Sequence, residues 1–313
     1  MYKYVIFICR EHNYSSVIKA PRRCFMKIKA AAKINLLLDI LKKLDNGYHS
    51  LFMIMQSVSC FDEVEVNLTD SGKTVIDCGK AALANDETNI AYKAAKAFFD
   101  YTKLENRGLE IKIQKNIPMA AGLAGGSADG AAVIFALNRL YEAKLSDNEL
   151  RKIGVKVGAD VPFSLMGGTA LALNIGEILA PLPEIKDCFI VLAKPDEAVA
   201  TGGAYASFDK AHNIRHPDNA SMLEALANGD SERAFSLVEN VFEQVIDVHA
   251  RPYIKDIMRK FGCKAACMSG SGPTVFGVFD TEKKANDCAE ELKKTMKEVF
   301  VTTPTEKAIE IIG

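Results

Sequence analysis

The sequence predicts an α+β protein built from two domains, and three observations carry that reading. Its 313 residues exceed the roughly 150 that a single domain commonly uses. Strands and helices mix without a steady βα alternation, which argues against a doubly wound parallel sheet. A glycine-rich stretch, Gly122 to Ser127, falls between a strand and a helix. The proline-bearing segment Leu179 to Asp187 is the expected junction, giving domains at 27–183 and 184–313 behind an extension, 1–26, expected to be non-functional.

In chain order, the apolar start of the extension is cut off by Arg10-Glu11-His12 and no small-residue cleavage site follows, so it is not read as a signal sequence. Met26 is then a natural start. Lys27 to Ile40 is apolar and extended, Asn46-Gly47 supplies a turn, and Leu51 to Cys60 runs apolar again, which predicts a strand, turn, strand unit. Glu63 to Leu68 alternates with period two, as a half-exposed strand does. Cap-type residues at Asp86 to Asn89 precede a helical face of Ile90, Ala94, Ala97 and Phe98. Leu109 to Ile113 alternates as a strand, and after the glycines Ala128 to Tyr141 reads as a helix. Ser146 and Glu149 form a capping box that opens the next one. Strands are expected at Thr169 to Leu173, Phe189 to Ala193, Lys264 to Met268, Thr274 to Phe279 and Val299 to Thr303. Helix dominates from Thr201 to Lys260 and resumes at Glu282.

Composition narrows the function classes. With 39 Lys+Arg against 40 Asp+Glu there is no global basic field to recruit nucleic acid or a membrane surface. The apolar runs fall far short of the about 20 residues a spanning helix needs. The eight cysteines are scattered, with neither a C-x-x-C pair nor a Cys/His cluster, and read as buried or free thiols in a reducing cytoplasm.

The glycine-rich stretch is the strongest chemical signal. Glycines allow close backbone approach, and the following helix N-terminus offers N–H donors and partial positive charge to a phosphate. A helix start packed tightly against another backbone would show the same composition. There is no G-x-x-x-x-G-K-[ST] run, and Ala124 breaks a G-x-G-x-x-G count from Gly122, so neither P-loop nor Rossmann geometry is supported. Lys33 lies in a segment so apolar that its ammonium must find a partner; on a strand, Ala31, Lys33 and Asn35 share a face. A lysine snorkelling at a sheet edge is the alternative. Asp160, among small and apolar neighbours, is either a partly buried carboxylate or an N-cap. Tyr48-His49 after the turn could present an aromatic face and an imidazole to a planar ligand or simply decorate the turn. Ser269-Gly270-Ser271-Gly272 is a tight hairpin or a second glycine loop.

Taken in order, these segments resemble the GHMP kinase superfamily, and within it the family acting on a cytidine diphosphate methylerythritol. The pattern A-P-A-K-I-N is met by Ala30 to Asn35, D-G-Y-H by Asn46 to His49, and P-x-G-x-G-L-G-G-G-S-S by Pro118 to Ala128. G-A-D-V-P is met by Gly158 to Pro162, and S-G-[ST]-G by Ser269 to Gly272. Departures are Ala31 for proline, Asn46 for aspartate, Ala120 and Ala124 for loop glycines, and Ala128 for the second serine.

The resemblance implies a ribosomal-protein-S5-like N-terminal domain, a ferredoxin-like C-terminal domain, and a cleft between them where the ATP γ-phosphate moves to an alcohol. Lys33 and Asp160 match the catalytic pair: Asp160 takes the hydroxyl proton, and Lys33 keeps that carboxylate ionised and orients the alcohol. Pro118-Met119-Ala120-Ala121-Gly122-Leu123-Ala124-Gly125-Gly126-Ser127 would cradle the ATP phosphates, with Ser127 reaching a Mg²⁺ shell held mainly by phosphate oxygens, and with Asn89 and Lys115 near the adenosine. Tyr48 and Tyr205 would flank the cytosine, His49 would hydrogen-bond it, and Asn35 and Thr201 would lie nearer the diphosphate and the erythritol. Ser269, Gly270, Ser271 and Gly272 would add a second loop to the same cleft. The resemblance thus implies a cytoplasmic enzyme with small-molecule partners, no nucleic acid and no membrane, acting as a monomer or weak homodimer.

Overall fold

The computed structural model describes residues 24–79 and 84–313, so residues 1–23 of the expected extension lie outside the described residues. The first half of the chain runs β1 (Phe25–Lys43), β2 (His49–Leu68), β3 (Thr74–Asp77), α1 (Ile90–Thr102), β4 (Leu109–Gln114), α2 (Gly125–Leu140), α3 (Asp147–Val157), α4 (Val161–Met166), β5 (Thr169–Asn174) and β6 (Ile178–Pro181). The second runs β7 (Phe189–Lys194), α5 (Thr201–Lys210), α6 (Asn219–Ala227), α7 (Ser231–Ser236), β8 (Glu239–Asn240), a 3₁₀ turn (Val241–Gln244), α8 (Ala250–Lys260), β9 (Ala265–Met268), β10 (Val275–Phe279), α9 (Glu282–Lys293), β11 (Glu298–Thr302) and β12 (Ile309–Ile311).

β1 and β2 form the long antiparallel hairpin that the Asn-Gly turn predicts. Gly47 takes φ +84°, and the Asn46 side chain accepts from the Tyr48 N–H at 3.1 Å. The hairpin begins earlier than the first residue expected, Lys27: Phe25 already pairs with Asn67, and the Cys24 carbonyl accepts the Leu68 N–H. The apolar run Leu51 to Cys60 and the alternating run Glu63 to Leu68, read as separate strands, are one strand, β2. The register steps between Ala31 and Ala32 and leaves Ser59 and Cys60 unopposed, so a bulge absorbs the break in pattern.

The first sheet has the order β12-β1-β2-β4-β3. β5 pairs with the N-terminal half of β2, β6 pairs with β5, and β8 joins β1 in parallel. The expected junction therefore begins too early: Leu179 to Pro181 belong to β6 and lie in this sheet. β8 and β12, from beyond the proposed boundary, lie there too. The short β3 and β12 had no alternating run long enough to announce them. α1 to α4 cover the sheet through a core that includes Ile28, Ile34, Phe98, Ile134 and Leu137, all fully buried. Ser146 and Glu149 make the predicted reciprocal cap of α3.

The second sheet is β11-β7-β10-β9, all antiparallel. Numbered along the chain, its strands stand in the order 4-1-3-2, with helices crossing between the first and second and between the third and fourth. That is the βαββαβ ferredoxin-like arrangement. α8 and α9 cover it through Ile254, Met258, Cys288 and Leu292 against Val191, Val275 and Phe279.

Candidate active site

A cleft of about 1060 Å³ opens where the two halves meet, walled by the β1–β2 hairpin, the glycine-rich loop, the second glycine loop and α5. At its centre the Lys33 ammonium, nearly sealed on β1, donates to Asn35 Oδ1 at 2.8 Å and stands 3.8 Å from Asp160 Oδ2. The partner that an ammonium in so apolar a strand requires is therefore found, and Lys33 and Asn35 share a face as the period-two reading expects. Asp160 sits at the N-cap position of α4, yet its side chain makes no capping bond. The carboxylate is half-exposed and turned to the cleft.

The two readings of the glycine run divide between individual glycines. Gly122, at φ +75°, would place a Cβ 2.1 Å from the Ser269 carbonyl oxygen, so backbone packing against the second loop explains it. A Cβ on Gly125 would press on Ile117 at 3.0 Å. Gly126 faces the cleft, and the nearest atom to its Cβ would be Ile90 at 3.5 Å. α2 starts at Gly125, three residues before the expected Ala128, because Ala124 bends into it at φ +57°. Its N-terminus has neither a capping side chain nor an acid in the first turn, so its N–H groups and about half a unit of positive charge face the cleft. The Lys33 N–H donates to the Leu123 carbonyl at 3.1 Å and thereby docks the loop on β1.

Beneath the loop the Lys115 ammonium bridges the carboxylates of Asp62 and Asp129, the latter at 2.7 Å, and all three are buried. Asp62 Oδ1 also accepts the Asn116 and Ile117 N–H groups at 2.6 and 2.8 Å, which anchors the chain that leads to Pro118. Burial pushes the Asp129 carboxyl above the usual carboxylate range, with Lys115 opposing the shift and Asp62 adding to it. For Lys115 burial works downward, and the two carboxylates outweigh it. Asn89 lines the same end, but its amide is committed to α1: Oδ1 caps the Ala91 N–H at 2.8 Å, and Nδ2 donates to the Ala84 carbonyl at 2.7 Å. Ser127 is not among the cleft-lining residues, and neither is Ser269, whose buried hydroxyl donates to the Gly122 carbonyl at 2.9 Å. Gly270, Ser271 and Gly272 do line the cleft, and Ser271 Oγ is 3.1 Å from Thr201 Oγ1 at the start of α5.

At the far end Tyr48 is exposed. His49 is buried, with Nε2 2.7 Å from Asp209 Oδ1. Tyr205 stacks on the His49 ring at 4.8 Å and 18° and meets Phe242 edge-on at 5.1 Å. One face of Tyr205 is therefore taken by His49, and Tyr48 and Tyr205 both line this end of the cleft. Burial, with the Asp160 charge second, pushes the Tyr205 hydroxyl up to about 12. Asp129 and Asp209 line the cleft and Asp62 holds Lys115 beneath it, and the sequence reading named none of the three. The signal available for two of them was helical spacing: Asp209 lies four residues after Tyr205, and Asp129 four after Gly125.

Among the described residues no three His, Cys, Asp or Glu side chains converge on a metal-sized site, and no helix is long and apolar enough to cross a membrane. The seven described cysteines are free thiols. Burial pushes Cys60, Cys188 and Cys288 up to about 12, which leaves them inert.

The model of the GHMP kinases N terminal domain matches residues 89–168, and that of the GHMP kinases C terminal matches residues 218–298. A 4-diphosphocytidyl-2-C-methyl-D-erythritol kinase of Clostridium beijerinckii is 44% identical over 279 residues, covering 88% of this chain and 99% of the relative. That of Clostridium acetobutylicum is 42% identical with the same coverage. A solved 4-(cytidine 5'-diphospho)-2C-methyl-D-erythritol kinase superposes with a TM-score of 0.72 at 30% identity, over 89% of this chain and 99% of the other. A homoserine kinase from Cytophaga hutchinsonii, at 19% identity and a TM-score of 0.75 over 96% and 100%, shares the fold. By identity and coverage together, this chain belongs to the GHMP kinases, in the family of 4-diphosphocytidyl-2-C-methyl-D-erythritol kinases.

Proposed function

We propose that this enzyme transfers the γ-phosphate of ATP to the 2-hydroxyl of 4-diphosphocytidyl-2-C-methyl-D-erythritol, a step toward isoprenoid precursors by the non-mevalonate route. The observation that carries the reading is the Lys33–Asp160 pair, 3.8 Å apart, in one cleft with an uncapped helix N-terminus.

The loop from Pro118 to Ser127 and the first turn of α2 hold the triphosphate by backbone N–H groups. Lys115 and Asn89 form the adenosine end, where Lys115 is steadied by Asp62 and Asp129. Asp160 accepts the hydroxyl proton as the phosphoryl group arrives. Lys33, held by Asn35, offsets negative charge between donor and acceptor and orients the alcohol. Tyr48, His49 and Tyr205 receive the cytosine, while Asn35, Thr201 and the 270–272 loop face the diphosphate and the erythritol. A Mg²⁺ that enters on the nucleotide suits this cleft, since backbone N–H groups are free for the phosphates and the half-exposed Asp160 carboxylate is an oxygen donor of the kind the ion takes. Ser127, expected in its shell, does not line the cleft, so the ion would be held mainly by phosphate oxygens, whose charge it would neutralise. The same reading keeps domain limits near 27–183 and 184–313 and has the protein act in the cytoplasm as a monomer or weak homodimer.

An ADP-release assay with the cytidine substrate, homoserine and mevalonate tests the assignment. Turnover should depend on the cytidine compound. ADP formed with homoserine or mevalonate instead would move the chain to another alcohol, and nucleotide binding without ADP under any acceptor would make it a scaffold.

A further inference from the structure

The far end of the cleft contains a carboxylate that the reaction does not consume. Asp209 lies in the last turn of α5, four residues after Tyr205 and so on the same face. It accepts hydrogen bonds from both the Lys43 ammonium and His49 Nε2, the latter at 2.7 Å. Those two donors, Lys43 first, hold its carboxyl below the usual carboxylate range. A carboxylate can only accept, so a neutral His49 ring carries its proton on Nε2. Nδ1 is then an acceptor, and it has no partner among the described residues. Tyr205, stacked at 4.8 Å, and Phe208, edge-on at 6.4 Å, fix the plane of the imidazole. Asp209 fixes its rotation and its tautomer.

An acceptor nitrogen at this end distinguishes bases. Cytosine presents an amino donor at its 4-position, where uracil presents a carbonyl acceptor. We propose that Asp209 is a positioning residue that sets the His49 tautomer and so gives the site its preference for cytosine over uracil, an inference that rests on the cytosine assignment made above. Lys43 serves the same end from β1 by holding Asp209. The hairpin mouth and α5 are thereby tied together at the point where the base enters.

The test compares kcat/KM for the cytidine diphosphate substrate and its uridine counterpart in wild type, Asp209→Asn, Asp209→Ala and His49→Ala. Asn is isosteric but can turn its NH₂ toward Nε2 and send the ring proton to Nδ1, as an orienting Asp→Asn change does in a catalytic triad. Asp209→Asn should therefore lower the cytidine-to-uridine ratio by about 10-fold or more, the size of one lost hydrogen bond, and by more than Asp209→Ala does. The change should fall on KM, with kcat at saturation and the KM for ATP within a few-fold of wild type. The ¹⁵N shifts of the His49 ring, which read the tautomer without an assay, should report an Nε2–H form in wild type and a shift toward Nδ1–H in Asp209→Asn. Preference kept in Asp209→Asn but lost in His49→Ala, or an Nδ1–H ring in wild type, would overturn the proposal alone. Wild-type indifference to the base would overturn the cytosine assignment, and this inference with it.

Discussion

The Ser269 hydroxyl donates to the Gly122 carbonyl at 2.9 Å, while the Ser269 carbonyl oxygen occupies the space that a Gly122 side chain would need. Two glycine loops far apart in the chain thus form one backbone-packed unit, and the 118–127 loop owes its shape to the loop after β9. Gly122→Ala should destabilise the fold by more than about 2 kcal/mol, since left-handed strain of about 1–2 kcal/mol adds to a clash with backbone that no rotamer relieves. Gly126→Ala, whose Cβ would meet Ile90 at an ordinary contact distance of 3.5 Å, should hold its urea midpoint near wild type and instead weaken ATP binding. Equal midpoints for the two variants would contradict this division between packing and ligand approach.

Ala120 and Ala124 stand at φ +50° and +57°, in the left-handed region that glycine occupies without strain. Ala120→Gly and Ala124→Gly should each raise stability by up to about 1 kcal/mol, because relief of the strain exceeds the entropy that glycine adds to the unfolded chain. Denaturant unfolding measures it directly, and a lower midpoint in both variants would show that the packing of those methyl groups outweighs the strain.

Asp160→Asn should lower turnover by about 10² or more with both Michaelis constants within a few-fold, as loss of a positioned base does. Lys33→Ala should be comparably damaging. The double variant should be little worse than either single one if the 3.8 Å pair acts as a unit. Strictly multiplicative losses would assign the two groups separate tasks.

Burial raises the Asp129 carboxyl in the folded state, so the native protein binds a proton there that the unfolded chain has already released. Stability should therefore fall as pH rises from the ordinary carboxylate range, about 4, toward the raised native value. Asp129→Asn removes that titration. Its urea midpoint relative to wild type should climb across the same window, whereas parallel curves would mean that Lys115 fully offsets the burial.

Where local chemistry determines structure, the sequence was legible. Ser146 with Glu149, Asn89 before Ile90, and Asn46-Gly47 each do locally what their side chains dictate. The face shared by Lys33 and Asn35 followed from strand periodicity. What stayed hidden depends on partners far away in the chain. His216 offers no usable spacing, yet its Nδ1 lies 2.8 Å from the buried carboxylate of Asp39, which also accepts from Asn219. Asp62, Asp129 and Asp209 look like ordinary surface acids until the sheet and α5 bring Lys115 and His49 to them. The left-handed alanines, Ala120 and Ala124, show in the sequence only as departures from the glycines of the resembled loop. β6 and β12 are edge pieces whose pairing, not their pattern, makes them strands.

The position of β1 limits how the protein can move. This strand hydrogen-bonds β2 and β12 along its edges and β8 near its far end, so segments from the last quarter of the chain are woven into the first sheet on either side of Lys33. Such a stitched molecule has no hinge about which two halves could swing apart. Separately expressed pieces cut near residue 184 would each expose an unpaired strand edge and should aggregate unless mixed. Substrate entry and product release are therefore expected to proceed by small local movements at the hairpin mouth and α5, not by swinging of the two halves.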